Sequence, residues 1–268
     1  MNIKGFLIDL DGVLTKDENF TPIEGAVEFI DYLNRNRIPY LIATSNSRFL
    51  PEEIIRRMRN NGFNLSPEKI ITPLVVAPEV MKKEGGDTVF VIGSPQLIEF
   101  MEGKGFSVKQ TPEVDSVLVG LDKGLNFEKL KIGTTALKVH GAKLYALNKN
   151  IISKDDDGLL FPGVGTVAKM FATACQCNED FKHFGKMGPE YNKVAFEKLG
   201  IDNPGQICMI SDDLFVDLKG YKSLGLKTVF VTTGKYTLGD AEGADFVDII
   251  VDNLTQLIGR VNIIDSEN

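Results

Sequence analysis

Phe6-Leu-Ile-Asp-Leu-Asp-Gly-Val-Leu14 sets a short apolar run against two acids and a glycine. Residues 6–10 have the length and composition of a buried strand, and Gly12 permits a turn directly after it. Residues two apart on a strand share a face, so the Asp9 and Asp11 carboxylates reach one point at its carboxyl end. Open α/β sheets bind ligands along that edge. Taken alone, Asp-x-Asp-Gly is explained as well by a strand-ending turn as by a site. The rest of the chain decides between them.

Outward from this run, further apolar runs at 40–44, 89–93, 117–121, 143–147, 207–210, 228–231 and 248–251 alternate with amphipathic stretches. That is the pattern of parallel strands joined by crossover helices, an α/β fold. Helices are expected from near Thr21-Pro22, where Thr can cap and Pro fits the first turn, and after Pro51. The runs at 89–147 are enough for a sheet of their own. The expected architecture is a Rossmann-like parallel-sheet core made of 1–75 and 182–268, with an inserted α/β cap domain at 76–181.

Composition narrows the function classes. With 43% hydrophobic and 25% charged residues, the 268-residue chain can bury a sizeable core. A net charge of -7 opposes nucleic acid and anionic lipid. The basic cluster Arg56, Arg57 and Arg59 is offset by Glu52 and Glu53 and reads as a solvated helix face. Cys175, Cys177 and Cys208 are too few and too irregular for a disulfide scaffold, and Cys175-Gln-Cys177 lacks zinc-ligand spacing. No apolar stretch is long enough to span a membrane. The stretch 5–14 is broken by Asp9 and Asp11 and lacks a small-residue cleavage site, so a cytoplasmic location is expected.

The chemistry rests on residues far apart in sequence. Ile210-Ser-Asp-Asp-Leu-Phe-Val-Asp217 ends another apolar run with Asp212 and Asp213, and Asp217 follows on the next helix. Acids at a helix N-terminus need no other explanation than the helix dipole. If the two strands are neighbours, however, Asp9, Asp11 and Asp212 converge, and such carboxylates call for a hard divalent cation with oxygen ligands, Mg2+. Thr44 at a strand end and Lys186 in His183-Phe-Gly-Lys-Met187 supply a hydroxyl and a cation suited to a phosphoryl group. Singly, they read as a strand-end threonine and a solvated lysine.

In this order, Asp9-Leu-Asp11-Gly-Val-Leu, Ala43-Thr-Ser-Asn-Ser47, Gly185-Lys186 and Ser211-Asp-Asp-Leu-Phe-Val-Asp217 resemble the four motifs of the haloacid dehalogenase superfamily. Essentially the whole chain resembles its NagD-like and 4-nitrophenylphosphatase group, which carries a large α/β cap. The resemblance implies a Mg2+-dependent phosphatase acting on small phosphomonoesters, of 4-nitrophenyl phosphate, sugar phosphate or phosphoglycolate type, through an aspartyl-phosphate. It implies Asp9 as nucleophile and Asp11 as acid, then base. The metal would take the Asp9 carboxylate, the Asp11 backbone carbonyl and Asp212. Asp217 would orient a water held by the metal, or Lys186, and Asp213 would support the set. Gly12, Thr44, Ser45 and Asn46 would bind the phosphoryl group, and Asn148 and Lys149 of the cap the rest of the substrate. A homodimer is in keeping with the group.

The Asp at position 11 marks phosphatases and phosphomutases and is lacking in the dehalogenases. Three departures are expected to touch the frame, not the charged groups: Ser211 for Gly, Phe215 for Asp and Met187 for Pro. In the cap, Leu147-Asn148-Lys149-Asn150 stands for the group's Thr-Asn-Pro-Asp. Lys149 would favour an acidic substrate, although an exposed loop lysine is the commoner role. Cap hinges are expected near Thr72-Pro73 and 180–183.

Other readings are weaker. Gly163-Val-Gly-Thr-Val-Ala168 fits a loose dinucleotide pattern but follows no clear strand, and reads as a loop opening a helix. Lys186 lacks the Ser or Thr that a phosphate-loop lysine needs next to it. A phospho-acceptor signalling domain shares Asp, Thr, Lys and Mg2+ but is much shorter. A phosphomutase would return the phosphoryl group to a sugar instead of to water.

Overall fold

The apolar runs of the two chain ends pair into one parallel six-stranded sheet. Its order is Ile249–Val251, Lys227–Val231, Ile207–Ser211, Gly5–Asp9, Tyr40–Ala43 and Ile70–Ile71. The computed structural model describes residues 3–154, 157–176 and 181–259. Two compact units divide the chain: Met1–Thr44, Phe49–Ile71 and Asn192–Asn268 form the first, Ser45–Arg48 and Thr72–Tyr191 the second. The expected insertion, 76–181, lies inside the second unit.

Gly5–Asp9 is central to the first unit. Leu7 pairs with Met209 on one side and Leu41 on the other. Both faces of these strands are buried, which is why they read as unbroken apolar runs. Phe6, Ile8, Ile42, Ile210 and Val229 share a core with Phe29 and Leu33 of the helix Ala26–Arg35, whereas Leu7 and Met209, also fully buried, lie on the opposite face. From Gly5–Asp9 the chain runs outward to Tyr40–Ala43 and Ile70–Ile71, then returns to pair Ile207–Ser211 on the other flank. That reversal is a topological switch point, and the crevice outside its carboxyl ends is where such sheets bind ligands.

The helix expected from Thr21-Pro22 begins instead at Ala26, after Gly25 with φ 80°. Thr21 and Pro22 pair back on the segment after Asp11: Lys16 N donates to Thr21 O at 3.0 Å, and Thr15 bridges Pro22. A strand-like pairing therefore uses the backbone that a helix would have needed. The helix after Pro51 is Pro51–Asn60, with Pro in its first turn. On it Arg57 pairs with Glu53 at 2.6 Å, as a solvated face should.

The second unit has its own five-stranded parallel sheet, in the order Lys182–His183, Lys143–Ala146, Ser116–Val119, Thr88–Ile92 and Ser107–Val108. Helices Phe127–Lys138 and Val164–Cys175 pack on it through Ala136, Leu137, Ala168 and Phe171 against Phe90, Ile92, Val117 and Val119. Thr72 caps the helix Pro73–Lys83, accepting from Leu74 N at 3.1 Å and Val75 N at 3.3 Å. Cys177 and Asp180 lie outside the described residues; Cys175 and Cys208 are buried free thiols. Burial pushes the Cys208 thiol pKa far up, the mark of an inert packing cysteine. Among the described residues no helix is long and apolar enough to cross a membrane.

Candidate active site

The five expected acids, Asp9, Asp11, Asp212, Asp213 and Asp217, end or directly follow the two neighbouring strands at the switch point of the first unit. Asp9 closes its strand with 5% of its surface exposed, and its Oδ1 accepts from Leu10 N at 2.8 Å. Ser211 ends the neighbouring strand, and its Oγ lies 3.0 Å from Asp9 Oδ2 and 2.8 Å from Asp217 Oδ2. The hydroxyl has one proton to give, so two acids share one donor. Ser211 Oγ also accepts from Asp213 N at 3.1 Å. Ser211 was expected to belong to the frame alone; it touches the nucleophile candidate and Asp217 directly.

Asp217 reaches Ser211 because Leu214–Leu218 forms a single π-turn, a wider loop of backbone than an α-turn and a frequent companion of functional sites. Asp213 caps this turn, accepting from Val216 N at 2.9 Å with Oδ1 and from Lys235 Nζ at 2.8 Å with Oδ2. Its carboxylate thus ties the π-turn to Lys235. Burial opposes the Lys235 ammonium, but the Asp213 carboxylate outweighs it and holds the lysine above its ordinary pKa. Phe215 is half exposed and packs edge-on against Tyr236, with ring centroids 5.1 Å apart.

Asp212 is buried, with 7% exposure, and its Oδ2 accepts from Lys235 N at 2.6 Å. Asp11 is exposed and starts the turn closed by Gly12 N on Thr15 O at 2.8 Å. Gly12 has φ 79°, so glycine is required there by conformation, and a Cβ on it would also stand 2.7 Å from Asp212 Cγ. Thr44, 2% exposed, continues the strand Tyr40–Ala43, its amide donating to Ile71 O at 3.1 Å. Among the described residues no three His, Cys, Asp or Glu side chains form a metal cluster. The expected ligand set asks for fewer, two carboxylates and the Asp11 carbonyl. Buried, oxygen-only donors at Asp9 and Asp212 suit a hard cation, which would offset the cost of burying two charges.

The remaining expected residues lie in the second unit. Ser45 Oγ accepts from Lys186 N at 3.0 Å, and Gly185 packs against Ser45 and Asn148, where a Cβ would come within 3.1 Å of each. Asn46 Oδ1 accepts from Arg48 N, and Asn148 Nδ2 donates to Ser47 Oγ at 3.3 Å. Lys186 and Asn148 are thus tied through Ser45 and Ser47 to the segment that carries the second motif. Lys186 is half-buried. The Met187 departure also has a reason: its φ is 66°, which proline cannot adopt.

Asn148 Oδ1 accepts from Asn150 N at 3.1 Å, and the exposed Lys149 sets its ammonium 5.9 Å from the Phe181 ring centroid. This loop rests on the stretch that mimicked a dinucleotide motif. Gly165 N donates to Asn150 O at 2.9 Å, Gly163 N to Ile151 O at 2.8 Å and Thr166 Oγ1 to Ile151 O at 2.7 Å. A Cβ on Gly165 would meet the Lys149 carbonyl carbon at 2.5 Å. The glycines are a seat for the loop at the start of Val164–Cys175.

Sequence reasoning missed Thr233, Gly234 and Lys235. A signal existed: Thr-Thr-Gly-Lys follows the apolar run 228–231, so a glycine stands at the same sheet edge as Asp9 and Asp212.

Comparison with known proteins identifies the family. The family model described as haloacid dehalogenase-like hydrolase matches residues 6–107, and a second, HAD-hydrolase-like model matches 183–257. The acid sugar phosphatase of Staphylococcus haemolyticus is 32% identical over 247 residues, covering 91% of this chain and 90% of its own. The 4-nitrophenylphosphatase of Thermotoga maritima superposes with a TM-score of 0.84 at 27% identity, over 96% of this chain and 97% of the other. NagD of E. coli, 21% identical, shares the fold with a TM-score of 0.82 over 96% and 98%. With the residues of its first and fourth motifs at a parallel-sheet switch point and relatives matched over nearly their whole length, the chain belongs to the haloacid dehalogenase-like hydrolases and is a phosphatase of their NagD-like and 4-nitrophenylphosphatase group.

Proposed function

We propose that this phosphatase passes the phosphoryl group of a small phosphomonoester first to Asp9 and then to water. The observation that carries the reading is the Asp9 carboxylate, buried at the switch point and oriented by Leu10 N and the Ser211 hydroxyl. An Asp9 oxygen bonds to phosphorus as the bond from phosphorus to the ester oxygen breaks, and Asp11 gives the departing oxygen a proton. Asp11, now a carboxylate, takes a proton from the attacking water. The bond to Asp9 breaks, and inorganic phosphate leaves. Splitting hydrolysis this way replaces one hard displacement by two easier ones.

Family members generally use Mg2+, and Asp9, Asp212 and the Asp11 carbonyl are the groups here that would hold it. When bound, it neutralises charge on the transferring group and its partners. Asp217 acts through Ser211. Motif order assigns phosphoryl contacts to Thr44, Ser45, Asn46, Gly12 and Lys186. Sugar phosphates are the favoured substrate class, supported by the acid sugar phosphatase relatives. Asn148 and Lys149 would meet the sugar. The net charge of -7 and the reduced thiols suit a cytoplasmic enzyme without nucleic-acid or membrane partners. Exposed Phe127, Ile151 and Leu159 of the second unit give a homodimer apolar surface to bury.

The test is phosphate release from 4-nitrophenyl phosphate and from a panel of sugar phosphates, with Mg2+ and with EDTA. Metal-dependent turnover with free phosphate as product is expected. An isomerised sugar phosphate, or stable phosphorylation without turnover, would overturn the reading.

A further inference from the structure

Asp212 is gripped by backbone on two sides. A Cβ on Gly234 would stand 2.6 Å from Asp212 Cγ and 2.8 Å from its Cβ, and one on Gly12 would stand 2.7 Å from the same Cγ. Real side chains do not approach that closely. The carboxylate therefore occupies a slot that exists only because both neighbours lack side chains. Within the slot, Lys235 N donates to Oδ2 at 2.6 Å, a short charge-assisted bond. The two walls are tied together, since Thr233 Oγ1 donates to Gly12 O at 2.6 Å. A third tie holds the turn from outside, Lys235 Nζ to Asp213 Oδ2 at 2.8 Å.

We propose that the turn Thr233-Gly234-Lys235 is the positioning element for Asp212, fixing the rotation of its carboxylate so that it can ligate a divalent cation. The proposal rests on the reading of Asp212 as a metal ligand. Gly12 and Gly234 contribute differently. Gly12 has φ 79° and serves both the turn after Asp11 and the slot, whereas Gly234 is outside the left-handed region and is required by the slot alone. Alanine at 234 thus meets no torsional penalty, only the contact with Asp212. Rotation of the Asp212 side chain moves its Cγ and Oδ atoms away, but the 2.8 Å contact with Asp212 Cβ is relieved only by a shift of the turn itself, and both movements break the bond to Lys235 N. Supports of metal ligands of this kind are worth about 10–100-fold in metal affinity.

The experiment is calorimetric titration of Mg2+ alone into the full-length protein, for wild type, Gly234→Ala, Thr233→Val and Asp212→Asn, with melting in EDTA recorded for each. The expected result is a Mg2+ affinity about 10–100-fold weaker in Gly234→Ala, with the EDTA melt lowered by the overpacked turn but still a single cooperative transition. With 4-nitrophenyl phosphate, its apparent activation constant for Mg2+ rises by a similar factor while kcat recovers at saturating metal, a split that a merely structural lesion does not produce. Wild-type affinity in folded Gly234→Ala, with affinity lost in Asp212→Asn, overturns the proposal and leaves the reading of Asp212 standing. Wild-type affinity in Asp212→Asn removes that reading and the proposal with it. Should Gly234→Ala fail to fold, Thr233→Val keeps the side-chain volume and removes only the hydroxyl's bond to Gly12 O. A threefold or greater loss of affinity there supports the proposal, and an unchanged affinity overturns it.

Discussion

At the carboxyl edge of the first unit, Gly12 and Gly234 make room for a side chain, that of Asp212; in the second unit, Gly163 and Gly165 make room for main chain, that of Lys149 and Asn150. Gly234 and Gly165 look alike in sequence, each beside a Thr, and both come shortly after a strand, Lys227–Val231 in one case and Leu160–Pro162 in the other. Their physics differs. A Cβ that intrudes on a side chain is accommodated by rotating the carboxylate and by a small shift of the turn beside it, so the fold survives and the functional group is displaced. A Cβ that intrudes on a carbonyl carbon must push a loop off its seat and break the bonds from Gly165 N, Gly163 N and Thr166 Oγ1. Function is the exposed quantity in the first unit and local stability in the second.

The largest expected effect belongs to the first unit. Asp9→Asn removes the nucleophile and keeps the volume, and turnover of 4-nitrophenyl phosphate with Mg2+ should fall about 10⁴-fold or more with little change in melting temperature. Residual activity within tenfold of wild type would mean that Asp9 is not the attacking group, and the contrast between the units would lose its first term.

Gly165→Ala should be the mirror image. Overpacking against the Lys149 carbonyl should cost about 1–3 kcal/mol of stability, visible as a shifted denaturant midpoint. Turnover of 4-nitrophenyl phosphate should change less than that of sugar phosphates, because the loop carrying Asn148 and Lys149 moves. A variant as stable as wild type would break the comparison, since the seat would then be soft.

Ser211→Ala sharpens the first-unit half. It leaves Asp9 Oδ2 and Asp217 Oδ2 without their shared donor, and loss of one such bond at a buried charged group is worth about 1.5–3 kcal/mol. A decrease in kcat of about tenfold is expected, with KM nearly unchanged. Ser211→Thr should restore part of it by returning a hydroxyl. Equal kcat in Ala and wild type would return Ser211 to the frame.

Eight strands were legible in the sequence to within a residue or two at each end, because strands buried on both faces write themselves as continuous apolar runs: 228–231 was read for Lys227–Val231, and 117–121 for Ser116–Val119. The two- and three-residue strands Ile70–Ile71, Ser107–Val108, Ile152–Lys154, Leu160–Pro162 and Lys182–His183 are too short to show a run, and Leu160–Pro162 stands where no clear strand was expected. The motif residues were legible because acids that end such runs are few. What the sequence hid depended on pairing across the fold. Thr21-Pro22 carries a good local helix signal, overridden by the bond from Lys16 N to Thr21 O. The role of Ser211 depends on Asp9, 202 residues away in sequence, and that of Gly234 on Asp212 across the turn. No local pattern encodes a hydroxyl between two acids or a missing Cβ beside a carboxylate. Met187 shows the same limit, since its departure from proline makes sense only once its φ of 66° is known.

The smallest expected effect compares one acidic tie from each unit. In the first, Asp248 accepts from Lys222 Nζ at 2.7 Å and Thr228 N at 2.9 Å, joining the segment before Ile249–Val251 to its neighbouring strand. In the second, Glu84 accepts from the Tyr145 hydroxyl at 2.6 Å and from Lys182 Nζ. Burial works to raise both pKa values, but the lysines and hydrogen bonds outweigh it, and each carboxyl lies below its ordinary value, 3.8 for Asp248 and 4.5 for Glu84. A depressed folded pKa means a contribution that is fully present above the unfolded value and is lost as pH falls through the folded one. The stability difference between wild type and Asp248→Asn should therefore hold at neutral pH and shrink only below about pH 3.8, whereas that for Glu84→Gln should begin to shrink below about pH 4.5. Denaturant melts from pH 7 to pH 3 measure both. A difference that persists undiminished at pH 3 would mean that packing, not charge, makes the tie, and the two units would then respond to acid through other groups.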